Sequence, residues 1–218
     1  MGRIKALKNI SATKTVASTF GVLVGLAGIE HGFFEMLQGN VAPSDIMIDA
    51  IGPEQKFWEY ATEPALTIIP NFLATGILAV IFGLLVTIWA YAFIDRKYGA
   101  RILLLLSIIL WLVGGGFAPI LMSIFAFAAA TRINEPLKWW RAHLPDNLRG
   151  FLAKLWPGSI IAYVFVFVLG VEIAIFGYPL LWFFDANVTY TIQWTSALIM
   201  VVLWPVSIIT AFAYDIQK

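Results

Sequence analysis

The chain has 218 residues, of which 61% are hydrophobic and 12% are charged, and its formal net charge is +1. A soluble domain carries roughly 45–50% apolar and about 25% charged residues, so this composition excludes a water-soluble globular domain. The lack of cysteine excludes disulfides, thiol catalysis and thiolate metal sites, and the near-zero net charge argues against a nucleic-acid partner.

Five apolar runs are long enough to cross a bilayer, which takes about 20 helical residues. Backbone groups must pair internally in lipid, and the runs lack the alternation of membrane-barrel strands, so we predict helices. The runs cover residues 16–37, 66–94, 102–131, 158–184 and 190–213. The predicted fold is an all-α, polytopic membrane bundle that forms a single membrane domain over residues 1–218.

The N-terminal segment 1–14 contains four cations and precedes the first apolar run. It resembles the start of a secretory signal, but no small-residue cleavage site follows, so we predict an uncleaved first span. Cations accumulate on the cytoplasmic side of membrane proteins, which places this segment inside and the loop 38–65 outside. The four cations are Arg3, Lys5, Lys8 and Lys14.

The third apolar run, 102–131, contains Gly114-Gly115-Gly116-Phe117-Ala118-Pro119 at its middle. Glycine and proline destabilise a helix when they lie in its interior. Two half-helices, about 102–113 and 119–131, would each reach roughly 18 Å. We therefore predict a re-entrant or broken hairpin and four full spans. This topology leaves every lysine and arginine except Lys56 inside. The alternative is five full spans with a kinked third helix.

The loop 132–157 is then cytoplasmic. Four apolar residues in it follow the spacing of one helical face, and Asp146 is placed to cap that helix, so we predict an interfacial segment. An anchoring role alone is the first interpretation of this segment, and binding of an anionic lipid headgroup by residues 136–156 is the second. The residues of the apolar face are Leu148, Phe151, Leu152 and Leu155. Both termini are predicted to be cytoplasmic, in the cytoplasmic membrane of a prokaryote.

The helix pairs 15–95 and 158–215 share two short patterns. Residues 28–34 and 170–176 both read glycine, β-branched residue, glutamate, a variable residue, a small residue, a variable residue and phenylalanine, and residues 90–95 resemble residues 211–215. Both pairs have the same predicted orientation. An internal duplication about an axis along the membrane normal, as in many transporters, is one interpretation, and a chance match of apolar segments is the other.

Four ionisable residues fall inside the predicted spans: Glu30, His31, Glu35 and Glu172. Each costs about 2.5–3.5 kcal/mol at bilayer depth on insertion scales, which makes it a candidate functional residue. Asn71 and Gln193 lie at the outer ends of the spans that follow. We expect these six residues to line one polar cavity in the outer half of the membrane. Glu54, Glu59 and Glu63 are interpreted as solvated charges of the outer loop, although the Glu63-Pro64 segment could also form the cavity mouth.

His31 and Glu35 are one helical turn apart, which suits a hydrogen-bonded pair, a proton-exchange pair, or two ligands of a metal such as zinc, iron or manganese. Gly21, Gly25, Gly28 and Gly32 precede them as a stripe that predicts close helix packing.

Three functions remain open at this point. The leading hypothesis is movement of a proton, an ion or a small solute through the polar cavity. The second is a membrane-embedded enzyme, with or without a metal, that acts on a lipid-soluble substrate, and the third is an accessory subunit of a larger membrane complex. The expected partners are the lipid bilayer and either a second copy or a larger complex, and the sequence names no cofactor.

Overall fold

The computed structural model describes residues 11–218, so the first ten residues of the predicted cytoplasmic segment 1–14 lie outside the described residues. Seven α-helices, one two-stranded sheet and two short 3-10 helices make up the described regular structure. The helices and strands are α1 (Ala12–Leu37), β1 (Met47–Asp49), β2 (Pro64–Leu66), α2 (Phe72–Ala92), α3 (Gly99–Leu112), α4 (Phe117–Ala130), α5 (Lys138–His143), α6 (Asp146–Phe176) and α7 (Ala186–Ile216). Of these, α1, α2, α6 and α7 are long and apolar enough to cross a membrane, so the predicted all-α membrane bundle is confirmed.

The two ends of the bundle differ in their polar contacts. At the inner end, the Asp215 carboxylate accepts hydrogen bonds from the backbone N–H groups of Ala12 and Thr13, both at 2.9 Å, and so caps the positive start of α1. Lys14 pairs with Asp95 at 2.5 Å, and the hydrogen bond from Lys14 lowers the pKa of Asp95. The outer end carries the end of α1 and the segment 38–71. The side of the membrane that each end faces stays a prediction.

The glycine stripe of α1 packs closely against other helices, as the packing hypothesis predicted: Gly21, Gly25 and Gly32 lie against α2, and Gly28 lies against Leu110 of α3. A Cβ atom on Gly32 would lie 2.6 Å from the carbonyl oxygen of Gly76, and one on Gly83 would lie 2.7 Å from that of Gly25. Side chains at these positions would force the two helices apart. Small residues therefore bring the backbones of α1 and α2 into contact, which is how membrane helices gain packing energy.

The third apolar run forms two helices, α3 and α4, separated by the break 113–116. A cavity of about 620 Å³ at the inner end is lined both by residues 94–101, at the start of α3, and by residues 127–135, at the end of α4. The break itself lies at the outer end, where Gly114 N–H donates to the Leu66 carbonyl at 2.9 Å. The run is therefore a broken hairpin in the fold. Its re-entry from the cytoplasmic side of a bilayer stays a prediction.

The helix expected within loop 132–157 is not a separate element. It is the first part of α6, which runs without interruption from Asp146 to Phe176 and contains Pro157. Proline removes one backbone donor, but a single missing bond is tolerated in a long membrane helix. Asp146 was predicted to cap this helix, which is wrong, because Pro145 holds the cap position and Asp146 instead forms an ion pair with Arg149.

The outer segment 38–71 folds over the ends of α1 and α6. Its strands β1 and β2 pair antiparallel and form a small sheet. The sequence did not predict this sheet, because strands of three residues are too short to show a recognisable pattern. Trp58 donates its indole N–H to the Ala174 carbonyl at 3.2 Å, and Trp58 packs with Phe34 and Ile175 in a buried apolar cluster. These contacts fix the outer segment against both helix pairs.

Buried apolar side chains fill the interior of the bundle between its two ends, and we call six of them the apolar layer. In it, the rings of Phe20 and Tyr163 lie 4.6 Å apart, and the Tyr163 hydroxyl donates to the sulfur of Met122. The layer consists of Phe20, Val24, Leu103, Leu110, Met122 and Tyr163.

Candidate functional site

His31 is the centre of a group of acidic residues at the outer end of the bundle. Its Nδ1 atom lies 3.0 Å from the Ala27 carbonyl oxygen and 3.1 Å from Oε2 of Glu30. Its Nε2 atom lies 3.3 Å from Oε2 of Glu63. The imidazole is thus held between two carboxylates. We call Glu30, His31, Glu35 and Glu63 the acid cluster.

Glu63 reaches His31 because the outer segment positions its backbone. The Asp49 carboxylate accepts hydrogen bonds from the Glu63 N–H at 2.7 Å and from the Thr62 hydroxyl at 2.8 Å, and the Ala50 N–H donates to the Glu63 carbonyl at 2.9 Å. Burial raises the pKa of Glu63 to about 7; the charges of Glu30 and Asp49 act in the same direction, and His31 opposes them.

The interpretation of Glu63 as a solvated loop charge is therefore wrong. Its partner His31 is 32 residues earlier in the chain, and no local spacing in the sequence indicates such a contact. The one signal that pointed to Glu63 was its position just before proline at the start of the second apolar run, which suggested the mouth of a cavity.

Glu35 is fully buried, and within the described part of the chain neither of its carboxylate oxygens has a hydrogen-bond partner. Oε1 of Glu30 is likewise buried without a partner there. Buried polar atoms in proteins nearly always have partners, and an exception calls for an explanation such as an ion or a functional proton. Three orphaned oxygens around one imidazole mark this cluster as the candidate site.

The break 113–116 supplies the wall of the site. Gly114 and Gly116 have φ angles of +101° and +80°, which only glycine adopts easily. A Cβ atom on Gly114 would collide with the Glu35 carboxylate, and one on Gly116 would collide with Nε2 of His31. The two glycines therefore let the backbone of the break approach closely the two groups that the sequence had paired.

The outer segment and α2 hold this break in place. The Ile68 N–H donates to the Leu112 carbonyl at 3.0 Å, and the Thr75 hydroxyl donates to the Val113 carbonyl at 2.8 Å. Backbone groups that a broken helix leaves free are thereby paired, which is the condition for irregular backbone at membrane depth.

The acid cluster has the composition of a cation or proton site. Glu30, His31 and Glu63 each offer a ligand atom within 4.8 Å of the other two. Carboxylates and imidazole exchange protons near neutral pH, and the same groups bind metal ions. The structure thus brings Glu63 to His31 and Glu30, which the sequence had already singled out, whereas Glu35 is not among the ligand atoms within this distance.

The other predicted site residues lie in different surroundings. Asn71 caps α2, because its side-chain oxygen accepts from the Ala74 N–H at 3.0 Å. Gln193 is half-buried, and its Oε1 atom lacks a partner among the described residues. Glu172 is exposed on α6, in a groove of about 380 Å³ that Phe165, Val168 and Trp182 help to line. No hydrogen bond or ion pair of the described residues joins these three to the acid cluster, and their part in a shared cavity stays a prediction.

Comparisons of the chain with protein-family models, with curated proteins and with solved structures found no match. The functional interpretation therefore depends on the geometry of the acid cluster.

Proposed function

We propose that this membrane protein moves protons or small cations across the bilayer and that the acid cluster is its binding site. The observation that carries the proposal is Glu35, a fully buried carboxyl group without a hydrogen-bond partner among the described residues, beside His31. Such a group is costly at membrane depth, and a cation or a transferable proton offsets the cost.

The burial of the cluster is graded, which indicates the route of access. The side chains of Glu30 and Glu63 are 21% and 16% exposed, whereas that of His31 is 4% exposed and Glu35 is inaccessible. A cation from the outer side meets the two partly exposed carboxylates first. His31 then connects them to Glu35.

The apolar layer is the barrier on the way to the inner end. Passage across it requires a movement, and the break 113–116 is the element suited to move, because its glycines have no side chains and it touches both Glu35 and His31. In the proposed cycle, occupation of the cluster changes the contacts of the hairpin tip and so couples binding to opening.

Flux into proteoliposomes tests the proposal, with proton and alkali-ion gradients applied separately. We expect Glu35→Gln to lower the flux at least about tenfold, because it removes the charge at the innermost position and preserves the shape. Glu59→Gln is the matched control, since Glu59 is an exposed acid of the same outer segment. Wild-type flux no greater than that of empty liposomes, or equal flux in wild type and Glu35→Gln, would contradict the proposal.

A second candidate function, an accessory subunit of a larger complex, is favoured by the exposure of Glu172. An acidic side chain on a membrane-facing helix surface is costly unless another protein covers it. A photocrosslinker at Val168, beside Glu172, should then give one discrete protein adduct in native membranes. A crosslinker at the equally lipid-facing Leu198 is the control, and lipid adducts alone at Val168 would remove this candidate.

A further inference from the structure

We propose that the acid cluster binds one divalent transition-metal ion through Nε2 of His31 and the carboxylates of Glu30 and Glu63, with the buried carboxylate of Glu35 near them. The inference rests on the proposed function in that it names the cation that the cluster takes. It depends on binding geometry, however, and can be tested without any measurement of flux.

The orientation of the imidazole is that of a metal ligand. Its Nδ1 atom lies 3.0 Å from the Ala27 carbonyl, which can only accept a hydrogen bond, so an imidazole that binds an ion through Nε2 can keep its proton on Nδ1 and donate it there. The Nε2 atom faces Oε2 of Glu63 at 3.3 Å, and in the metal-bound form its lone pair is directed at the ion that both groups share. Metal-binding histidines usually donate their other N–H to a backbone carbonyl or a carboxylate in this way.

The spacing of the ligand atoms fits one ion. The ligand atoms of Glu30, His31 and Glu63 lie within 4.8 Å of one another. Three ligands of one tetrahedral ion, each about 2.1 Å from the metal, lie roughly 3.4 Å from one another, so the widest of these separations has to close by up to about 1.4 Å. Side-chain rotation of a glutamate supplies such a shift.

The orphaned oxygens are the second, independent indication of a ligand. Both oxygens of Glu35 and Oε1 of Glu30 are buried without a partner among the described residues. A hydrogen-bonded structural cluster would satisfy them internally. A bound ion satisfies them directly or through a coordinated water molecule, and its charge offsets the repulsion among three carboxylates.

The composition of the site selects the type of metal. Magnesium and calcium prefer sites made only of oxygen ligands, whereas imidazole together with carboxylates suits manganese, iron or zinc.

Metal binding to the purified chain in detergent, after removal of bound metal with a chelator, tests the inference. We expect titration calorimetry to give one Mn²⁺ or Zn²⁺ per chain, with Ca²⁺ binding at least about tenfold more weakly. Glu63→Gln and His31→Gln should each weaken binding at least about 100-fold, since even the loss of an outer-shell partner costs 10–100-fold. Glu59→Gln should bind as the wild type does.

Glu63 belongs to the outer segment and not to a membrane helix, so its substitution is less disruptive to folding. Glu63→Gln therefore still tests metal binding if the His31→Gln variant does not fold. Bound Co²⁺ provides a spectroscopic measurement, because its visible absorption changes when a nitrogen ligand is lost. A wild-type chain that binds less than about 0.1 metal per chain, or Glu63→Gln with unchanged affinity, would overturn the inference.

The inference and the proposed function can fail separately. If no metal binds but Glu35→Gln still abolishes proton flux, the metal inference is wrong and transport stands. If one metal binds but wild-type liposomes show no flux of protons or cations, including the metal itself, transport is wrong and the binding site stands.

Discussion

Two segments of this protein have the same residue pattern but opposite surroundings. Residues 28–34 lie in α1, and their glutamate, Glu30, joins the acid cluster. Residues 170–176 lie in α6, and their glutamate, Glu172, is exposed and has no hydrogen bond or ion pair to another described residue. The comparison teaches that a glutamate at membrane depth becomes part of a site only when other elements surround it.

The position of each helix in the bundle explains the difference. The helix α1 packs against α2, α4 and α7, and the outer segment closes over its end, so several elements contribute to the surroundings of Glu30. The helix α6 packs mainly against α7, and residues such as Ile161, Phe165 and Val168 leave its other face exposed. Whether the two helix pairs descend from a duplication stays a prediction, which a superposition of 15–95 on 157–215 would test.

The largest difference in the free energy of unfolding should come from replacing one glycine by alanine in each region, Gly114 beside Glu35 and Gly170 in α6. Gly114→Ala places a side chain at a positive φ and against the Glu35 carboxylate, and each effect costs about 1–3 kcal/mol. We expect it to lower the free energy of unfolding by roughly 2–6 kcal/mol. In Gly170→Ala the new Cβ meets only the flexible end of Met200, at 3.3 Å, so the change should be neutral or stabilise by up to about 1 kcal/mol.

Reversible unfolding in mixed micelles measures both variants. Equal stability of the two variants would show that the break 113–116 adapts to side chains and does not form a fixed wall of the site.

Replacing the buried carboxylate of Glu35 and the exposed carboxylate of Glu172 by methionine should give a smaller difference in the free energy of unfolding, and this difference should have the opposite sign. Glu35→Met removes a buried group without a partner among the described residues, so the metal-free protein should gain about 1–3 kcal/mol of unfolding free energy while it loses cation binding. Glu172→Met changes an exposed position and should stay within about 0.5 kcal/mol of the wild type. A destabilised Glu35→Met variant would mean that Glu35 has an internal structural partner.

A pH dependence of the unfolding free energy should belong to the α1 region, where Glu63 contacts His31. The folded-state pKa of Glu63 is about 7, above its ordinary value of 4.5. Between these values the unfolded chain loses the proton and the folded chain keeps it. The contribution of Glu63 to stability is therefore fully present below pH 4.5, decreases as the pH rises to about 7, and is constant above.

Unfolding free energies of wild type and Glu63→Gln between pH 4 and 8 measure this contribution as a difference. A difference that does not change with pH would show that Glu63 titrates as an ordinary solvated carboxyl group, and it would remove Glu63 from the acid cluster.

The sequence determined the class of the protein and the location of its unusual residues. Apolar length and the scarcity of charge require membrane helices, because lipid leaves the backbone no other partners. The glycines and proline at 114–119 predicted a break where α3 ends, since these residues cost the most in a helix interior. Glu30, His31 and Glu35 stood out because ionisable groups are rare at that depth.

Only the tertiary structure decided which of these residues meet. Glu63 reaches His31 because Asp49 and the small sheet orient its backbone, and the break reaches Glu35 because the outer segment binds it. Glu172 stays outside because α6 lies at the edge of the bundle. Spacing along the chain encodes contacts within one helix, whereas contacts between distant segments depend on packing and on hydrogen bonds that no local pattern contains.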